Sequence, residues 1–160
     1  MQLYGIPVSV DQAGSSGIRA RVGEQVTLGL SLRCHRREPA GDGDGTGEGI
    51  VGFAVAAARE SFYGGWVLSA AGVPFHVTEE SAKDEVAFIA DAKARPGQVV
   101  VRVRGQVRVA DDRVIEDVRD RWDLDLTRTW TVRRIVRLAG DRPADDFEQA
   151  TGFLLDLELA

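Results

Sequence analysis

The sequence contains a single cysteine, Cys34, so no intrachain disulfide can form. That excludes the disulfide-stapled scaffolds of small secreted domains. Histidine occurs only at His35 and His76. A zinc centre needs about four ligands, usually in close pairs, and no such set is present. Lysine occurs only at Lys83 and Lys93, and every other cation is arginine. No run approaches the ~20 apolar residues of a membrane helix. Met1–Pro7 (MQLYGIP) lacks the basic stretch and apolar core of a signal peptide, so the expected location is cytoplasmic. Glycine-rich phosphate loops, nucleophile elbows and zinc-protease helices are also missing. No cofactor or metal is expected, and an enzyme is the less favoured class.

The chain has 160 residues, of which 44% are hydrophobic and 28% charged. This suits one domain over 1–160 with a self-sufficient core. The formal net charge of −5 disfavours a general electrostatic grip on nucleic acid.

Period-2 patterning dominates. Leu3–Val10 reads as a strand that Pro7 confines to an edge or to strand ends. Val22, Val26, Leu28, Leu30 and Leu32 share one parity and predict a strand over 22–36. Ile50–Ala57 is a short apolar run. The segment 64–78 reads as a further strand, interrupted at Ala71–Gly72. From Val99 to Val109 every odd position except Gly105 is valine, while Arg102, Arg104 and Arg108 occupy even positions. This predicts a half-buried strand with a valine wall inside, wet arginines outside, and a bulge or bend at Gly105. In 122–138, Trp122, Leu124, Leu126, Trp130, Val132, Val136 and Leu138 share a parity that Arg128 and Arg134 interrupt. Phe153, Leu155, Leu157 and Leu159 predict a last strand.

One helix is expected, over Ser81–Arg95. Ser81 can cap it, with Asp84 three residues on, and Pro96–Gly97 stops it. Its apolar face is expected at Val86, Ile89 and Ala90. Ala110–Asp120 reads as a charged connection, Asp11–Gly17 as a turn, and the Gly/Asp-rich 39–49 as a mobile loop.

These elements predict a mainly β fold: a small antiparallel OB-like barrel of five strands, with one helix between the third and fourth, plus terminal strands. An antiparallel β-sandwich is the alternative. The terminal strands either extend the sheet or pair with each other.

Several residue groups bear on chemistry. Asp42, Asp44, Thr46 and Glu48 alternate with glycine as in a Ca²⁺ loop. In EF-hand alignment, however, Ala40 and Val51 fall where carboxylates are required. Cys34 and His35 point to opposite faces of a strand, which leaves Cys34 with His76 as the conceivable pair. The arginine stripe is the sharpest signal. Arg102, Arg104 and Arg108, joined by Arg133 and Arg137 and by an exposed aromatic such as Tyr63 or Trp66, would resemble a single-strand nucleic-acid groove. Alternatively, Asp123 and Asp125 neutralise that stripe across neighbouring strands.

The leading expectation is a non-enzymatic binding or adaptor domain that engages a protein partner or self-associates, with open strand edges near Leu3–Val10 or Phe153–Leu159. The second is an OB-type single-stranded nucleic-acid-binding module using those five arginines. The third is a small-ligand-binding or enzymatic barrel built around His76, Tyr63 and Trp66.

Overall fold

The computed structural model describes residues 1–9, 20–41, 48–137, 142–144 and 152–160, with the backbone alone at 137 and 142–144. The expected turn at 11–17, most of the 39–49 loop with Asp42, Asp44 and Thr46, and Leu138 lie outside these residues.

The fold is mainly β. Nine strands are described: β1 (Gln2–Ser9), β2 (Gln25–Pro39), β3 (Ile50–Val55), β4 (Trp66–Ala70), β5 (Val73–Glu79), β6 (Val100–Val109), β7 (Thr127–Arg137), β8 (Arg142–Ala144) and β9 (Gly152–Leu159). Two helices are described among the same residues, α1 (Ala82–Ala94) between β5 and β6, and α2 (Asp112–Trp122) between β6 and β7. Five strands close a barrel as β2 pairs β5, β5 pairs β4, β4 pairs β3, β3 pairs β6, and β6 returns to β2. The seam between β2 and β5 is parallel, and the other seams are antiparallel.

The five-stranded barrel with added terminal strands is as the sequence implies, but its membership differs. The 64–78 segment is a hairpin, β4 and β5, because Ala71 and Gly72 both take positive φ and turn the chain. The helix therefore follows the fourth barrel strand in chain order. The strand expected over 122–138 lies outside the ring. Its first residues close α2, and the rest, β7, pairs with the N-terminal half of β2 and with β9.

The terminal strands do pair with each other, from Gln2 opposite Glu158 to Ser9 opposite Gly152. β9 is thus an inner strand between β1 and β7, and not the open edge expected near Phe153–Leu159. β2 is long enough to serve two layers. Gln25–Gly29 joins the β7–β9–β1 sheet, and Leu30–Pro39 joins the barrel. One apolar cluster runs through both, with Leu30, Leu32, Phe75, Val77, Val101 and Val103 from the barrel and Val8, Trp130, Val132 and Leu155 from the sheet.

The alternation in β6 places Val101, Val103 and Val109 inside as predicted. Gly105 sits opposite Cys34, where β2 carries one extra residue against β6 before Arg36. A Cβ at Gly105 would collide with the Arg33 carbonyl oxygen, so only glycine permits this close approach at the bulge.

α1 starts as expected. Ser81 Oγ accepts the Asp84 amide at 3.3 Å, and Asp84 and Glu85 occupy the first turn. Its buried face, however, is Phe88 and Ala92, while Val86 is 67% exposed. Packing chose the largest apolar side chain: the Phe88 ring stands edge-on to Trp66 with centroids 4.7 Å apart.

Among the described residues no helix is long and apolar enough to cross a membrane.

Candidate functional site

β2 outruns its neighbour. β5 pairs with it only as far as Cys34, opposite Glu79. There β5 ends, and Ser81 two residues later caps α1. β2 continues to Pro39, paired with β6. Among the described residues no strand pairs with 35–39 on the side that β5 occupied, and α1 forms the opposite wall. Two clefts of about 690 and about 420 Å³ lie between α1 and this end of β2, sharing Arg37, Phe88 and Asp91. They fall in the range of roughly 300–1,000 Å³ typical of binding sites.

The floor is built from buried partners. The Arg37 guanidinium carbon lies 3.7 Å from the Phe88 ring centroid. Its Nε donates to Glu79 Oε1 at 2.9 Å. Trp66 Nε1 donates to the other Glu79 oxygen at 3.2 Å, and the Glu79 amide donates to Glu85 Oε1 at 3.0 Å. The Glu79 carboxylate thus ties β2 to β4, and its backbone amide ties the end of β5 to Glu85 at the start of α1. The Arg37–Glu79 pair is well enclosed, and its remaining hydrogen bonds offset the desolvation that such a pair carries.

The rim is charged. His35 Nδ1 donates to Glu80 Oε1 at 2.7 Å across one end. Arg95 grips Asp91 with two hydrogen bonds, 3.0 and 2.7 Å, and this holds the Asp91 carboxyl below the usual range. Cys34 lines the floor but is buried. Burial first, then the Glu79 charge, push its thiol up to about 11, which suits a packed side chain and not a nucleophile.

The residues singled out from the sequence do not form one surface. Arg102 is only 8% exposed, contrary to the expected wet stripe, because the chain entering β3 covers it: its Nη1 donates to the Glu48 carbonyl at 3.3 Å. Arg104 is half-buried, 3.4 Å from Glu38, and its Nε is buried without a hydrogen-bond partner. Arg108 is exposed and donates to Gln106 Oε1 at 2.7 and 3.2 Å. Arg133 lies in the other layer and donates to Glu158 at 2.5 Å. Arg137 is in β7, opposite Phe153 and Arg142, and its side chain lies outside the described residues. β6 and β7 are not neighbours, so the two arginine groups do not meet across adjacent strands.

Asp123 and Asp125 do not neutralise the stripe either. Asp123 ends α2 in the left-handed conformation at φ 52°. Asp125 accepts the Thr127 hydroxyl and amide at 2.7 and 2.9 Å, and these bonds, the hydroxyl foremost, hold its carboxyl low.

Trp66 is 0% exposed, so it is core and not the exposed platform considered above. Tyr63 is exposed. His76 is buried, not a surface imidazole. Its Nε2 donates to the Gly64 carbonyl at 2.9 Å and its ring meets Trp122 edge-on at 6.0 Å. Cys34 and His76 do not meet. Their strands pair, but Cys34 is opposite Glu79 and His76 opposite Ser31, on the other face.

Next to His76 lies a second polar group, centred on buried Asp117. It accepts from the Ser61 hydroxyl at 2.6 Å and from the amides of Phe62 and Tyr63 at 3.4 Å each, with Arg121 at 3.7 Å. These bonds hold a loop that leaves Phe62 81% exposed. None of the described clefts is lined by His76 or Asp117.

Apart from Cys34 and His35, sequence reasoning missed the groove residues, and it missed Asp117. Asp84, Phe88 and Asp91 at three- and four-residue spacing were a usable signal for one helix face. The abrupt end of β5 beside a longer β2 was not. No family model, curated protein or solved structure gives a significant match to this chain.

Proposed function

We propose that the chain is a non-enzymatic binding domain that engages a protein partner through the groove between α1 and the end of β2. The observation that carries this is the pairing of the groove's charged side chains with one another. Arg37 with Glu79 makes a fixed floor, and the exposed pairs Arg95 with Asp91 and His35 with Glu80 line the rim of an accessible volume. Such preorganised walls lower the ordering cost of association. Phe88 and Arg37 in the floor are of the residue types that serve as binding anchors.

The nucleic-acid reading gains no observation. A single-strand groove combines a basic track with stacking platforms. Here Trp66 is core and the arginines divide between two layers. The enzymatic reading asked for a pocket around His76, and the described clefts lie elsewhere.

The test is a comparison of wild type with Ala87→Trp. Ala87 is an exposed residue on the groove wall, so the substitution fills the groove without touching the core. Both proteins, immobilised, are exposed to a crosslinked lysate of cells producing the chain. The expected result is a partner retained by wild type, lost by Ala87→Trp and retained by a control Tyr4→Ser on β1. Indistinguishable captures by wild type and Ala87→Trp would overturn the reading.

A further inference from the structure

We infer that the partner enters this groove as an extended, cationic segment that adds a strand to β2, in the lane β5 vacates. The inference rests on the groove assignment above and specifies the mode of binding.

The hydrogen-bonding pattern supplies the first argument. The Ala40 amide donates to the Val100 carbonyl at 3.0 Å, so residue 40 faces β6. In an antiparallel ladder the facing direction alternates residue by residue. With Glu38 opposite Arg102 and Arg37 opposite Val103, Glu38 also faces β6. The main-chain groups of Arg37 and the carbonyl of Pro39 are therefore directed the other way, into the groove. They repeat the donor–acceptor row that β5 satisfies further up the same strand, from Leu30 to Cys34. Among the described residues no strand pairs with this edge, and a strand edge of that kind with a helix as its second wall is the arrangement that accepts a peptide by strand addition. The open stretch, 35–39, is five residues or ~17 Å at ~3.3 Å per residue, enough to register a short extended segment.

Charge supplies the second argument. On the strand side, Arg37 is paired with Glu79 and Arg36 with Glu38. On the helix side, Asp91 is paired with Arg95, which leaves Glu80, bonded to His35, and Asp84 facing the cleft, and the whole chain carries −5. The field at the groove and the field of the molecule both favour a cationic segment.

The test uses the full ¹⁵N-labelled chain and four synthetic hexapeptides. One alternates lysine and valine, one alternates glutamate and valine, and two are lysine–valine peptides N-methylated at one or the other set of alternate amides. The lysine–valine peptide is expected to shift the amides of 35–38, 40 and 41 and to slow exchange of the Arg37 amide at least tenfold. The glutamate–valine peptide should bind at least tenfold more weakly. N-methylation should abolish binding in one parity and leave it nearly intact in the other, because only one edge of an added strand faces β2. Equal binding by both methylated peptides would overturn strand addition while leaving the groove assignment standing. So would shifts confined to residues outside 35–41. No shifts from any peptide at millimolar concentration, with partner capture still sensitive to Ala87→Trp, would overturn this inference alone. Loss of both would remove the groove assignment as well.

Discussion

The two described helices cover the barrel in different ways. α2 seals one face of what it covers and leaves only a smaller cleft, about 300 Å³, against Thr27–Gly29 of β2. Val118 and Trp122 pack with Val67, Ala110 and Leu126 into a closed apolar cluster, and Trp122 Nε1 donates to the Val55 carbonyl at 3.1 Å. Its Asp117 is spent on a neighbouring loop. α1 buries only Phe88 and Ala92, and clefts remain between it and β2. Asp117 of α2 is consumed by the fold, whereas the polar groups beside α1 line the two larger of the described clefts. The difference follows from β-strand length: α2 lies over a fully paired part of the barrel, while α1 starts where β5 stops and β2 does not.

If that contrast is right, the largest stability losses belong to the α2 side. Trp122→Ala removes a buried ring and its hydrogen bond, and the expected cost is about 3–5 kcal/mol, read as a drop in denaturation midpoint. A loss under 1 kcal/mol would mean that the α2 cluster is not tightly packed. Asp117→Ala comes next. It strips the acceptor from Ser61, Phe62 and Tyr63, and bonds to a charged group are worth about 1.5–3 kcal/mol. The Phe62 and Tyr63 amides should lose hydrogen-exchange protection while the amides of β2 keep theirs. Uniform loss across the chain would show that the loop is not a separate unit.

The contrast was only half legible in the sequence. Strand alternation revealed β2, β6 and β9, because period 2 survives wherever one face is buried. Gly105 announced its bulge. α2 was missed because Asp, Glu and Arg dominate it, although Val114, Val118 and Trp122 recur at helical spacing and Asp111 caps it through the Arg113 amide at 2.8 Å. Arg102 failed as a wet residue because its burial comes from the distant backbone at Glu48, which no local pattern encodes. The groove was illegible for a similar reason. It exists only through the unequal lengths of two strands paired across more than forty residues of chain, and pairing is a tertiary fact.

pH offers a further probe of the sealed side. Burial lowers the His76 pKa below its ordinary 6.5, outweighing the Gly64 bond and the charges of Asp117 and Glu85. Below pH 6.5 the unfolded chain takes up a proton that the folded chain resists, so folding loses stability as pH falls from 6.5 towards the folded value. The midpoint should therefore be higher at pH 7.5 than at pH 5.5, and His76→Gln should flatten that part of the difference. An unchanged slope in the variant would show that His76 is not the group responsible.

The smallest expected effect tests the open side. Ser81→Ala deletes the cap on α1 and should cost about 1 kcal/mol, because one amide, that of Asp84, loses its acceptor. Its value lies in where the loss appears. α1 has few buried anchors, so the first turn, which carries Asp84 on the groove wall, should fray without loosening Phe88. Hydrogen exchange at Asp84 and Glu85 should quicken several-fold while the amides of Val118 and Trp122 in α2 stay unchanged. If α2 responds equally, the helices are coupled through the barrel, and the groove is part of the same cooperative unit as the sealed face.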